Sequence, residues 1–247
     1  MDNHEFCAHF AATLCPRRPA AMLDYGCGAA RTVELLRQQG YDAYGCDVFY
    51  EGGSYRADLR REHIDRGIVR DMPGGVIPFA DATFDLVLSN QVLEHVPDLG
   101  AALDDVARVL KPGGVFFSLF PDRSTWREGH VGIPFLHWFS KGSRARVWYA
   151  ALLRGLGLGS HKGTKGVLQW SRDACEWLDA WTHYRSYAEV REMFDRRFDN
   201  FTHHEAAWLA ARFPRRPWIA RALPRRAQAL VVRKGAGMVV TCRKAGR

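Results

Sequence analysis

The chain is expected to fold as an α/β domain around a doubly wound, mostly parallel sheet with helices on both faces. Three observations predict this. A short apolar run, Ala20-Ala21-Met22-Leu23, enters a turn containing Gly26 and Gly28 and then a helical pattern. Strand-like and helix-like segments go on alternating as far as Phe120. An acid, Asp47, stands at the end of the second strand and completes one unit of strand, glycine turn, helix, strand and acid.

Each element follows from local chemistry. Glu5 to Leu14 suits a short helix that the CPRRP stretch breaks before the first strand. In ARTVELLRQQG, Val33 and Leu36 recur at helical spacing and Gly40 offers a C-terminal cap. YDAYGCDVF alternates and carries aromatic residues, which predicts a strand ending at Asp47. Residues 50–78 are loop-rich, with a short strand expected around Ile68 to Arg70 and turns at Pro73-Gly74-Gly75. Phe84 to Leu88 makes a buried strand with Ser89, Asn90 and Gln91 at its carboxyl end. Leu99, Leu103, Val106 and Leu110 then mark a helix, capped by Asp98 and terminated by Pro112-Gly113-Gly114. GVFFSLFP is the next strand.

Beyond Pro121 the alternation fails. DRSTWREGHVGIPFLHWF is aromatic and aperiodic, and SRARVWYAALLRGLGLG looks helical before its glycines. An insert of this kind over a sheet edge serves as a lid or substrate platform. A helix over Ser186 to Phe194, a strand near Phe198 to Thr202 and a last strand in GMVVTCRK complete the chain. The organisation expected is one domain over 1–247: a cofactor-binding half (1–120), a lid or substrate insert (121–185), and C-terminal strands with a basic segment (186–247).

Composition narrows the class. A 47% apolar chain of 247 residues buries one large core. The start has no basic region leading into an uninterrupted apolar core, so no secretory leader is expected. No apolar run approaches the roughly 18 residues of a membrane span. The six cysteines form no CxxC pair and no Cys/His cluster at zinc spacing, which points to reduced thiols, no bound metal and a cytoplasmic protein. From Ala206 onward there are eleven basic residues and no acid, against a formal +8 for the whole chain. This segment implies contact with an anionic surface, including peripheral attachment to a membrane, or simply a solvated face.

The glycine turn lacks the glycine at position 31 that a dinucleotide fingerprint needs, having Arg31 there, and no Walker loop is present. Asp24-x-Gly26-x-Gly28 with Asp47 instead resembles the cofactor site of class I S-adenosylmethionine (SAM) methyltransferases. LDYGCG, GCD, PFADATFDLVLSNQVLEHV and VLKPGGVFF match four family motifs in order over residues 20–120, and the pattern resembles the methyltransferase type 11 group. The resemblance implies a seven-stranded Rossmann-like sheet, SAM as cofactor, and a site built from the turn Asp24, Gly26, Cys27 and Gly28. It also implies that Asp47 and Val48 meet the ribose and its surroundings, Asp71 and Met72 the adenine, and Asn90 and Gln91 the methionine side. Where the family commonly has a third glycine this chain has Ala30, expected here as a helix-forming residue that preserves close packing.

Family placement puts His95, just past the fourth strand, beside the transferable methyl, and an imidazole there could take a hydroxyl proton. His130, with His137, Glu128 and Trp126, lies in the insert that faces the same sheet edge. Phe135, Trp138 and Phe139 are expected in the insert's own small core. No NPPY-like motif follows the fourth strand, which argues against transfer to an exocyclic amine. The reading reached is a SAM-dependent O-methyltransferase acting on a small molecule or glycan. RNA or lipid-linked acceptors, and a SAM-binding protein without transfer activity, are the alternatives.

Overall fold

The computed structural model describes residues 1–50, 55–214 and 224–246. Along the chain these form α1 (Asn3–Leu14), β1 (Ala21–Tyr25), α2 (Arg31–Gln38), β2 (Asp42–Asp47), α3 (Tyr55–Asp58), α4 (Arg61–Asp65), β3 (Val69–Asp71), β4 (Phe84–Asn90) and α5 (Leu99–Val109). They continue with β5 (Leu110–Phe120), α6 (Arg144–Gly155), α7 (Val167–Trp181), α8 (Tyr187–Asp195), β6 (Asp199–His203), α9 (Glu205–Arg212), α10 (Arg225–Gly235) and β7 (Met238–Arg243).

The strands make one seven-stranded sheet in the order β3-β2-β1-β4-β5-β7-β6. The first five run parallel, and β7 enters antiparallel between β5 and β6. The strand order reverses between β1 and β4, so the carboxyl ends of β1, β2 and β4 open onto the crevice where such sheets bind ligands.

Alternation along β1 divides the core. Met22 faces a layer that includes Phe6 and Ala11 of α1, Val33 and Leu36 of α2, and Phe117, with Trp208 of α9 packed against it. Leu23 faces the opposite layer, with Leu103 and Val106 of α5, Phe116, and Val190 and Phe194 of α8. Leu103 has no exposed surface, so truncating it to Ala would cost about 2–5 kcal/mol. The capping box between Asp2 and Glu5 opens α1, and a second between Ser186 and Glu189 opens α8.

Several sequence expectations are corrected here. The helix that begins after Asp98 ends at Val109, before Pro112; Leu110 already pairs with Phe84 in β5, and Gly113 accommodates a positive φ of 75° within that strand. Helices α3, α4 and α9 were not anticipated, because short helices carry little apolar periodicity, whereas α7 was missed although Trp170, Ala174, Cys175 and Leu178 recur at helical spacing. Pro224 is the N-cap residue of α10. Trp218, Ile219 and Leu223, with Arg215, Arg216 and Arg221 of the basic segment, lie outside the described residues.

The insert has its own core, but a different one from that expected. Val131, Ile133, Leu136, Ala150, Trp170, Ala174, Cys175 and Leu178 pack together, joining α6 to α7. Phe135 and Trp138 are 37% and 48% exposed. Phe135 has φ +58° and starts a 3-10 turn over Leu136–Trp138, which directs Leu136 and His137 inward and leaves its own ring outside. Phe139 is half-buried against the ring of Tyr149. Among the described residues no helix is long and apolar enough to cross a membrane.

Candidate active site

The turn after β1 is sewn to β2. The amides of Gly26 and Cys27 both donate to the carbonyl of Cys46, at 2.8 and 3.2 Å, while Gly28 N donates to Asp47 Oδ2 at 2.9 Å. The other carboxylate oxygen of Asp47 accepts from Phe49 N at 2.8 Å. Gly26 has φ +78°, and a Cβ there would lie 2.4 Å from the Val92 side chain. Glycine is therefore required by the protein's own packing as well as by backbone conformation.

The third position of the glycine pattern is not helical. Ala30 precedes α2 with φ 64° and ψ 20°, in the left-handed region, and caps the helix without a side-chain hydrogen bond. The expectation of a helix-forming role is thus overturned: the site wants glycine for its conformation, and alanine is tolerated because its methyl group is fully buried among apolar neighbours.

Asp24, next to last in β1, is almost wholly buried. Burial raises its carboxyl to about 7, with the Asp47 charge adding to the effect and a hydrogen bond from Thr32 opposing it. Thr32 in turn lies 2.9 Å from His4 Nδ1 of α1. At the end of β3, Asp71 is exposed and engages Arg56 through two hydrogen bonds of 3.0 Å. Met72 is buried in the main core, and Val48, beside Asp47, is 48% exposed. Asn90 closes β4, and Gln91 turns the chain with φ +58°, its amide donating to Leu119 O at 2.7 Å.

The loop after Gln91 brings the second group of residues together. Val92 packs on Gly26, and two residues later Glu94 and His95 face the insert. His95 Nδ1 stands 2.6 Å from Trp181 O at the end of α7, and its Nε2 stands 3.0 Å from His130 Nε2. His130 Nδ1 lies 2.7 Å from Glu128 Oε1, which also accepts from the Tyr184 hydroxyl at 2.9 Å; Glu128 Oε2 accepts from Val131 N at 2.7 Å. Glu94 is 1% exposed, and neither of its carboxylate oxygens has a hydrogen-bond partner among the described residues. Arg185 ties the same loop down by donating to the carbonyls of Val96 and Pro97 at 2.8 and 2.7 Å.

Burial dominates the electrostatics of this cluster. It lifts the Glu94 carboxyl to about 7, with the His130 charge opposing, and together with His130 it presses the His95 imidazole down to about 4. Burial also pulls on His130, but the hydrogen bond and charge of Glu128, with Glu94 behind it, outweigh this and hold its imidazole above the ordinary value.

Residues 23–118 match the Methyltransferase domain family. The chain is 33% identical over 177 residues to the ubiquinone biosynthesis O-methyltransferase of Paramagnetospirillum magneticum, an alignment spanning 64% of this chain and 68% of that protein. The chain belongs to the SAM-dependent methyltransferases. A malonyl-[acyl-carrier protein] O-methyltransferase from Pseudescherichia vulneris is 34% identical over 103 residues, 42% of this chain and 39% of that relative's length. The fold is shared with the crystal structure of a SAM-dependent methyltransferase from Mesorhizobium loti, at TM-score 0.56 and 17% identity over 98% of this chain and all of the other.

In this methyltransferase the structure brings His95 and His130 into contact and keeps His137 apart. His137 is buried against Tyr184, with ring centroids 4.4 Å apart. It helps line a cavity of about 240 Å³ with Arg123, Lys141, Arg146, Thr182 and Tyr184, so Tyr184 forms a wall common to the cavity and the Glu128–His130 pair. Sequence reasoning missed Glu94, though an acid directly before His95 at a strand end was a usable signal. It also missed Tyr184 and the Trp181 carbonyl, for which no local signal exists.

Proposed function

We propose that this methyltransferase transfers a methyl group to a hydroxyl oxygen of a small molecule, seated between the Gln91–His95 loop and the insert. The observation that carries this reading is the contact of Val92 with Gly26. It places the loop bearing Glu94 and His95 directly against the glycine turn, with His130 meeting His95 from the insert. When bound, SAM supplies an electrophilic methyl on a sulfonium. The task left to the chain is alignment of the acceptor and management of the proton its hydroxyl must lose.

The residues present fit the cofactor. Each oxygen of Asp47 accepts one backbone amide and keeps capacity for a ribose hydroxyl. Gly28, with positive φ and its amide on Asp47, brings backbone without a Cβ next to that carboxylate. Val48 offers apolar surface next to Asp47, and Asp24, Asn90 and Gln91 stand at the ends of β1 and β4, toward the methionine part. Asp71 is already paired with Arg56, and the Met72 amide donates to Asp47 O at 2.9 Å, which ties the end of β3 to the ribose acid.

Two relatives carry O-methyltransferase names, one in ubiquinone biosynthesis and one acting on malonyl-[acyl-carrier protein]. A hydroxyl fits this chain better than a carboxylate acceptor. A hydroxyl must lose a proton on methylation whereas a carboxylate is already ionised, and His95 and His130 stand at the site as groups able to act on that proton. The cavity lined by Arg123, Lys141 and Arg146 would receive the acceptor's polar end. A glycan acceptor, and an anionic surface bound through the basic C-terminal residues, have no such feature in their support.

The test is incubation with methyl-labelled SAM and a panel of phenols, vicinal diols, hydroxy acids, oligosaccharides and RNA. Label in an alkali-stable ether of a low-molecular-weight product is expected. Label found only in a base-labile ester, in polysaccharide or in RNA would overturn the assignment.

A further inference from the structure

His95 and His130 present bare nitrogens to each other. The Nδ1 of His95 faces the Trp181 carbonyl at 2.6 Å, and a carbonyl only accepts, so that nitrogen carries the proton. The Nδ1 of His130 faces Glu128 Oε1 at 2.7 Å, and the same reasoning puts its proton there. In the neutral tautomers these bonds select, both Nε2 atoms are lone pairs, yet they stand 3.0 Å apart. Two lone pairs at that distance repel, so a positive centre, either a proton shared from His130 or a cation, belongs between them.

Glu94 completes the set. Its carboxylate is buried without a hydrogen-bond partner among the described residues, and one of its oxygens and one ring nitrogen of each histidine lie within 4.8 Å of one another. Two nitrogens bound at right angles with metal–nitrogen bonds of about 2.1 Å would themselves be about 3.0 Å apart. The Glu128–His130 pair reproduces the carboxylate–histidine support that orients metal-bound imidazoles, and the Trp181 carbonyl does the same for His95.

We propose that Glu94, His95 and His130 bind a divalent first-row cation, with Glu128 as the positioning residue behind His130. Two imidazoles and one carboxylate suit Mn²⁺, Fe²⁺, Co²⁺ or Zn²⁺ in preference to Mg²⁺ or Ca²⁺. A dication balances Glu94 and Glu128 while both histidines stay neutral. This deepens the acceptor site proposed above and rests on it: a bound cation with open positions would coordinate the acceptor hydroxyl and lower its pKa, which favours acceptors with a second oxygen close enough to chelate.

The test uses the full chain without a histidine tag, stripped with chelator and titrated with Co²⁺ alone at neutral pH. Calorimetry and visible absorption should show one ion per chain with a ligand-field spectrum of mixed nitrogen and oxygen donors. Glu94→Gln and His130→Gln should each weaken Co²⁺ at least tenfold. Glu128→Gln, which leaves all three ligands in place, should weaken it roughly 10- to 100-fold. SAM binding is measured on the same samples. Absence of one-to-one Co²⁺ binding in the wild type, or binding equally tight in all three variants, overturns the cation site, and the Nε2 contact is then a shared proton. The wild-type titration decides by itself should a variant not fold. Intact SAM binding with no cation confines the failure to this proposal, whereas a cation-binding chain that labels no hydroxyl acceptor would fail the functional reading instead.

Discussion

The Nε2 atoms of His95 and His130 face each other at 3.0 Å across the seam between the sheet and the insert, although the residues are 35 positions apart in the chain. The contact joins the loop that closes on the glycine turn to the segment that covers it. Most of what can be tested about this site follows from its partners.

His130→Ala removes the imidazole that Glu128 orients, and leaves the turn of Gly26 to Asp47 untouched. Turnover of a hydroxyl acceptor should fall about a hundredfold or more, the usual scale for losing the group that handles a reacting proton. SAM affinity should stay within about twofold of wild type by calorimetry. Turnover near wild type would mean that alignment alone carries transfer.

Asp47→Ala should weaken SAM by about 1.5–3 kcal/mol, the range for hydrogen bonds to a charged group. The same change frees the amides of Gly28 and Phe49, so the thermal midpoint should also drop. An unchanged dissociation constant would place the ribose on another acid.

Gly26→Ala meets two separate penalties: a left-handed backbone, costing about 1–2 kcal/mol, and a methyl 2.4 Å from Val92. Adding Val92→Ala should recover only the second. A double-mutant cycle by denaturant unfolding reads the coupling, and strict additivity would show that the loop yields without cost.

Ala30→Gly should be neutral or stabilising by up to about 1 kcal/mol, since glycine relieves the φ of 64° at the expense of chain entropy and one buried methyl. In a helix interior the same substitution costs about 1 kcal/mol. Urea unfolding of the two proteins separates these outcomes.

Asp24 sets a pH dependence. Its carboxyl is raised to about 7 in the folded protein, chiefly by burial, from an ordinary value of 3.8. An acid with a raised folded pKa is protonated more readily in the folded than in the unfolded chain, so its ionisation costs stability. Cofactor-free protein should therefore lose stability as pH rises from about 4 to about 7, by up to about 4 kcal/mol from this group, and change little above that. Asp24→Asn should flatten that fall in thermal melts from pH 4 to 8. Parallel curves for the two proteins would assign the slope to other groups.

The cofactor half was legible because its signals are local. Met22 and Leu23 alternate into opposite core layers, Gly40 stops α2 with φ +87°, and Asp98 caps α5 through the Ala101 amide. Each depends on residues within a few positions, where backbone sterics and apolar periodicity act directly. The insert was less legible. Its aromatic residues announce burial, but Leu136 and His137 turned inward in place of Phe135 and Trp138, because one left-handed residue rotated the turn.

By itself the sequence determined the βαβ frame, the glycine turn with its two acids, and membership of a methyltransferase fold, since strand, turn and helix preferences operate over short windows. Only the tertiary structure decided that Gly26 answers to Val92, that position 30 is left-handed, and that His95 meets Trp181, 86 residues away, on one nitrogen and His130 on the other. The physical reason is that tautomer, burial and charge at a site are set by neighbours in space. Those neighbours come from β4, the insert and the end of α7, and only the packed sheet and insert bring them within hydrogen-bonding distance.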